Sequence, residues 1–276
     1  MRGVELIEGI FSKLRSQGKT AFIPYICAGD PDLETSYEIA LALERAGSDM
    51  IELGIPFSDP IADGPTIQRA TMRALESGTT PPKVLKLVER LRRRTDMPIF
   101  LMTYFNLPFR YGLKEFCRDA SAAGVDGLII PDLPPEEGDE YAGMAREAGL
   151  ATVFLAAPTS SIERLRLIAS MSTGFIYCVS VTGVTGERER LSAEVESMTA
   201  KLRRVTDKPI GVGFGISKPE HVREVGRLAD AAIVGSAIIR RMEEAMGEGR
   251  NPVEEVERFA SQLARAAHSR GSRGEA

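Results

Sequence analysis

Short apolar runs recur along the chain, separated by stretches whose apolar positions fall three or four residues apart. The runs predict strands near residues 20–27, 49–53, 98–103, 126–131, 151–156, 174–180, 208–213 and 230–235. Their near-continuous apolar character is that of strands covered on both faces, as in a parallel sheet. The stretches between them predict helices over 36–46, 82–93, 113–123, 136–148, 162–170, 193–205, 219–228 and 238–246. Several helices end on Ala-Gly, as at Ala46-Gly47, Ala123-Gly124 and Ala148-Gly149, where glycine acts as the left-handed terminator. Eight strands alternating with helices predict an α/β fold of the closed (β/α)8, or TIM-barrel, type. An open doubly wound sheet would place a glycine-rich turn after strand 1, and Ala28-Gly29-Asp30-Pro31-Asp32 is not a dinucleotide fingerprint. A further amphipathic helix over 3–15 precedes strand 1 and is positioned to plug the barrel bottom. The barrel is expected over 1–267, followed by a polar, disordered tail at 268–276.

Length supports this reading, since 276 residues suffice for one such barrel, which typically needs about 250. A net charge of -4 argues against nucleic acid as a partner, because such proteins usually carry a basic face. The locally basic run 90–94 ends a helix, where cations suit the macrodipole and solvent. Cys27, Cys117 and Cys178 have neither paired nor metal-like spacing, and each reads as a small buried hydrophobe in a reducing compartment. No apolar run reaches the roughly 18 residues of a membrane span, and the first residues lack the apolar core of a signal peptide. A cytoplasmic protein is expected.

Residues 51–68, read Ile-Glu-Leu-Gly-Ile-Pro-Phe-Ser-Asp-Pro-Ile-Ala-Asp-Gly-Pro-Thr-Ile-Gln, concentrate the candidate chemistry. Glu52 lies inside the apolar stretch Met50-Ile51-Glu52-Leu53, where ionisation is costly unless something pairs with it. A stiffened, acid-rich loop follows at once. An acid at a strand end with more acids on the next loop suits proton transfer in a barrel enzyme, and equally suits a structural carboxylate capping nearby amides.

At the other end of the barrel sequence, Gly213-Phe214-Gly215-Ile216-Ser217 follows strand 7 and Gly235-Ser236-Ala237 follows strand 8. Loops in these places often hold a phosphate on backbone amides at helix N-termini, although glycines also end strands for reasons of turn geometry. Ser217 and Glu220 have capping-box spacing. A third glycine-rich loop, 180–188, suits a lid over the mouth as well as an ordinary connection. Of the two histidines, His221 falls at a helix start and His268 in the tail, so a histidine-held metal is not expected. No lysine ends a strand, which counts against a Schiff base. Carboxylates, Tyr177, hydroxyls and backbone dipoles remain, and they point to cofactor-free acid–base chemistry on a phosphate ester.

The chain resembles the tryptophan synthase alpha-subunit family over nearly its whole length. The resemblance is carried by Glu52 through Gln68, by Met102-Thr-Tyr-Phe-Asn106, Pro131-Asp132-Leu-Pro134, Gly183-Val-Thr-Gly186 and Gly213-Phe-Gly-Ile-Ser217. It implies a lyase that cleaves indole-3-glycerol phosphate to indole and glyceraldehyde 3-phosphate in tryptophan biosynthesis. It further implies an α2β2 heterotetramer, with residues 56–59 and the segment around Asn106 facing the beta subunit. No cofactor is expected in this chain, and pyridoxal phosphate is expected in the beta partner.

Residue by residue, the resemblance assigns the catalytic acids to Glu52 and Asp63. Tyr25, Met102 and Phe214 match positions around the indole, and Tyr177 matches a residue lining the site near Glu52; Gly186, Gly215, Gly235 and Ser236 match the phosphate cradle, and Thr185 matches the lid threonine. Many members carry an arginine where this chain has Val181-Thr182, and Tyr25 stands where some have phenylalanine. Two rivals stay open on the residues alone. One is another phosphate-binding barrel, such as a pentose-phosphate epimerase or an isomerase of histidine or tryptophan synthesis, which would not need the 52–63 acids. The other is a catalytically silent binding partner that keeps the barrel and the phosphate site.

Overall fold

Each apolar run becomes a strand in parallel register with its neighbours. The computed structural model describes residues 2–179, 188–213 and 215–269. Along the chain the elements are α1 (Val4–Ser16), β1 (Ala21–Cys27), α2 (Leu33–Arg45), β2 (Ile51–Gly54), α3 (Pro65–Glu76), α4 (Pro81–Arg92) and β3 (Ile99–Met102). Then come α5 (Asn106–Tyr111), α6 (Leu113–Ala123), β4 (Gly127–Ile129), α7 (Asp139–Glu147), β5 (Ala151–Val153), β6 (Leu155–Ala156), α8 (Ile162–Met171) and β7 (Ile176–Cys178). The series ends with α9 (Arg188–Arg203), β8 (Ile210–Val212), α10 (Pro219–Leu228), β9 (Ala231–Val234), α11 (Ser236–Gly247) and α12 (Pro252–His268).

The hydrogen-bonded order is β5-β4-β3-β2-β1-β9-β8-β7-β6. Its two ends, β5 and β6, are consecutive pieces of one stave, interrupted only at Phe154. The first piece bonds to β4 and the second to β7, so this fifth stave closes the barrel. The eight expected strands are therefore eight staves, one of them split.

Alternation along each strand divides the core. Phe22, Ile26, Leu53 and Leu101 point outward into the layer beneath the helices, whereas Ala21, Ile23, Met50, Phe100, Phe175 and Ile233 fill the barrel. The helix α1 packs Ile7, Phe11 and Leu14 onto this inner cluster, with Phe11 6.1 Å from Phe175 between ring centroids. Burial of such side chains is worth about 1.5–3 kcal/mol each, which is why a helix preceding the barrel is held as a plug.

The N-terminal rim repeats one device four times. A side chain just before each even stave accepts the backbone N–H of the preceding odd stave. Phe22 donates to Asp49 (2.8 Å), Ile99 to Asp126 (2.9 Å), Thr152 to Thr173 (2.9 Å) and Ile210 to Asp230 (3.0 Å). The three acids are also paired: Asp126 with Arg92, Asp230 with Arg203, and Asp49 with His268 at 2.9 Å. This end of a barrel serves stability. His268 closes α12, and residues 270–276 lie outside the described residues.

The glycines after the α2, α6 and α7 helices have positive φ (Gly47 98°, Gly124 98°, Gly149 75°), as terminators require. The capping box is corrected. The N-cap of α10 is Lys218, without a side-chain cap bond, because Pro219 fixes the first helical residue. The Ser217 N–H instead lies 3.3 Å from His221 Nδ1. No described helix is long and apolar enough to cross a membrane.

Candidate active site

Glu52 sits on the inward side of β2, one residue pair along from Met50, with Tyr25 of β1 and Phe100 of β3 as its register neighbours. It is fully buried, and neither carboxylate oxygen has a hydrogen-bond partner among the described residues. A buried carboxyl without donors favours its neutral form, and burial lifts the Glu52 carboxyl well above the usual carboxylate range. The capping role, which would require backbone amides on those oxygens, is not what the structure holds. Glu52 is an uncommitted acid.

After β2 the chain runs without regular structure until Gly64, the N-cap of α3. Asp63 lies at the end of this loop, largely buried. Burial raises its carboxyl from 3.8 to about 6, and a hydrogen bond from Tyr104 partly opposes the rise. Tyr104, just beyond β3, also accepts the Ala62 N–H at 3.0 Å and packs its ring 5.4 Å from Phe57. One phenol thus holds the loop and touches its acid. The motif Met102–Asn106 does not by itself single out Tyr104, but its position two residues beyond strand 3, at the active end, marks it as a candidate.

Tyr25 and Tyr177 are the buried aromatic walls. Burial raises both phenols well above their usual range, and Tyr25 is the direct cross-strand neighbour of Glu52. Met102 packs against both the inner barrel cluster and the cluster of Tyr25, Cys27, Ala70, Ala74 and Ile239. Glycine makes room for these rings. A methyl group at Gly54 would run into the Tyr25 hydroxyl, and one at Gly213 would run into the Tyr177 ring. The strand 7 glycine therefore serves an aromatic wall, a reason distinct from anion approach.

Gly235 is the N-cap of α11 and Ser236 its first residue, both partly exposed at the strand end of the barrel. The first amides of a helix lack intrahelical acceptors and carry partial positive charge, so this twelve-residue helix opens on a ready anion site. Gly215 is exposed with φ of 66°, a conformation that glycine adopts without strain. Thr185, Gly186 and Phe214 lie outside the described residues, as does the 180–187 part of the expected lid loop. Among the described residues, no group of three His, Cys, Asp or Glu side chains is arranged to hold a metal.

A family model described as tryptophan synthase alpha chain matches residues 11–268. The chain belongs to the tryptophan synthase alpha chain family. It is 50% identical to the tryptophan synthase alpha chain of Geotalea daltonii over 242 residues, covering 88% of this chain and 92% of that one. Identity with the corresponding protein of Prochlorococcus marinus is 48% over 262 residues, covering 95% and 97%. The fold matches the crystal structure of the alpha chain from Legionella pneumophila with a TM-score of 0.90 at 36% identity, covering 99% of each chain. The chain is thus a lyase, and its reaction is the alpha reaction of tryptophan biosynthesis. The rival barrel enzymes and the silent partner give way to this membership of the tryptophan synthase alpha chains.

Proposed function

We propose that Glu52 and Asp63 carry the alpha reaction, cleaving indole-3-glycerol phosphate to indole and glyceraldehyde 3-phosphate. The observation that carries this reading is Glu52 itself: a fully buried acid whose two oxygens are both unpartnered among the described residues, beside two aromatic walls. Breaking the bond between indole C3 and the glycerol carbon would leave electrons on the ring unless C3 is first protonated. Neutral Glu52 delivers that proton. Asp63, ionised above about pH 6, accepts a hydrogen bond from the indole N–H and stabilises the positive charge that builds there. The carbon–carbon bond then breaks, its electron pair restores the aromatic ring, and the hydroxyl on the departing carbon becomes the aldehyde. The hydroxyl proton returns to Glu52, which ends the cycle as it began.

Tyr25, Met102 and Tyr177 enclose the ring; Phe214, which matches a further position around it, lies outside the described residues. The phosphate rests on the first amides of α11, on the Ser236 hydroxyl and on the Gly215 and Gly235 backbone; Gly186, matched to the phosphate cradle, and Thr185, matched to the lid threonine, lie outside the described residues. The chain uses no cofactor of its own. A beta subunit carrying pyridoxal phosphate takes up the indole in a cytoplasmic α2β2 assembly. Residues 56–59 and the segment around Asn106 face that partner, and the exposed side chains of Ile61 (83%) and Phe109 (66%) flank them. Replacing Glu52 with Gln is expected to abolish indole release while leaving glycerol 3-phosphate binding nearly intact. Unaltered turnover in that variant removes the assignment.

A further inference from the structure

Three βα units are joined at the mouth by one ionic cluster that the chemistry above does not use. Arg73 of α3 donates from Nε and Nη2 to the buried Asp30, just past β1, at 2.7 and 2.8 Å. Its third nitrogen, Nη1, donates to Glu243 of α11 at 2.7 Å. One turn earlier on α3, Arg69 grips the same Glu243 at 2.7 and 3.1 Å. Beneath this lattice lies the apolar cluster of Tyr25, Cys27, Ala70, Ala74 and Ile239, which seats α3 and α11 against β1.

The two helices begin at opposite ends of the substrate. Helix α3 follows the Asp63 loop directly, and Gln68 ties its first turn back to the Asp63 carbonyl at 2.8 Å. Helix α11 begins at Ser236, and Glu243 lies two turns further on. The offset of α3 from α11 therefore fixes the separation between the acid at the indole end and the amides at the phosphate end. We propose that Arg73 and Glu243 are positioning residues for the alpha reaction, holding those two ends at the span of one substrate molecule. This rests on the site reading above. A planar guanidinium with all three nitrogens engaged resists rotation in a way a single contact does not. A reacting group displaced by about 1 Å can cost as much as 100-fold in rate.

The decisive variant is Glu243→Gln, which keeps side-chain size, removes the charge and one of the two oxygens that tie α11 to α3, and leaves Arg73 on Asp30. It is compared with wild type in kcat and KM for indole-3-glycerol phosphate, and in inhibition by indole alone and glycerol 3-phosphate alone. The expected result is a kcat lowered about 10-fold or more, with both inhibition constants within roughly twofold of wild type. Each end still binds, and only the molecule spanning both is mishandled. The Arg45→Met control breaks a comparable pair, Arg45 with Glu257 at 2.6 Å, on helices remote from the site, and is expected to leave kcat unchanged. Should Glu243→Gln fold poorly, Arg69→Gln tests the same link from an exposed side chain, with a smaller loss of the same pattern. An unchanged kcat in a folded variant overturns the proposal. So does an equal loss in Arg45→Met, or a kcat loss accompanied by matching loss of both inhibitors, since each reports general loosening. A wild-type protein that releases no indole overturns the site reading instead, and is told apart by that result.

Discussion

Removing the Tyr104 hydroxyl should move the pH at which the enzyme becomes active. Asp63 must be ionised to accept the indole N–H, so kcat/KM rises with pH through the Asp63 pKa, about 6 in the intact protein. Burial sets that value high, and the Tyr104 hydrogen bond restrains it. In Tyr104→Phe the restraint is gone while the burial stays. A hydrogen bond to a charged group is worth about 1.5–3 kcal/mol, and one pKa unit corresponds to about 1.4 kcal/mol, so the shift is about one to two units upward. The acid limb should therefore move to about pH 7–8. The Ala62 N–H loses its acceptor as well, but Ala62 is exposed and water replaces the phenol. The assay is initial-rate indole release across the range from about pH 5 to 9, at substrate concentrations well below KM. A limb that stays where wild type has it, or moves toward acid, refutes the link between Tyr104 and Asp63.

Asp63→Asn should raise stability while it lowers activity. Between 3.8 and about 6 the native state binds more protons at this site than the unfolded chain, so ionising Asp63 destabilises the fold as pH rises through that window. The full difference corresponds to about 3 kcal/mol, and partial exposure reduces the expected gain at pH 7 to about 1–2 kcal/mol in urea unfolding; no gain at pH 7 contradicts the burial account. Asp126→Ala should lose about 3–5 kcal/mol, because it leaves Arg92 buried and the Ile99 and Gly3 amides without their acceptor, yet KM of the folded enzyme should not change. Gly213→Ala should push the Tyr177 ring out of place, costing about 1–3 kcal/mol of stability and most of the turnover; wild-type kinetics there would mean the ring is free to yield.

The staves were legible because a strand covered on both faces cannot avoid an apolar run, and the active end was legible because acids and glycines cluster where those runs stop. What the sequence hid has physical reasons. The buried face of α3 is built from Thr66, Ala70, Thr71 and Ala74, small and partly polar residues, while the large apolar Met72 of the same helix faces solvent. The buried face of α12 is likewise rich in alanine, with Ala260, Ala264, Ala266 and Ala267. Only six residues make up α5. The break at Phe154 depends on which neighbour each half of a stave bonds to. At the site, the acids and tyrosines were readable as residue types in place. That Glu52 has no partner among the described residues, that Tyr104 binds the Ala62 amide beside Asp63, and that Arg73 joins three units are facts of distance between segments far apart in sequence.

The account turns on the protonation of one carboxyl. An infrared difference spectrum of wild type against Glu52→Gln, taken at pH 7 without ligand, reads it directly. A carboxylic-acid C=O stretch present in wild type and missing from the variant is the expected result. A carboxylate signature in its place, showing Glu52 already ionised before substrate arrives, would contradict its role as the donor to indole C3.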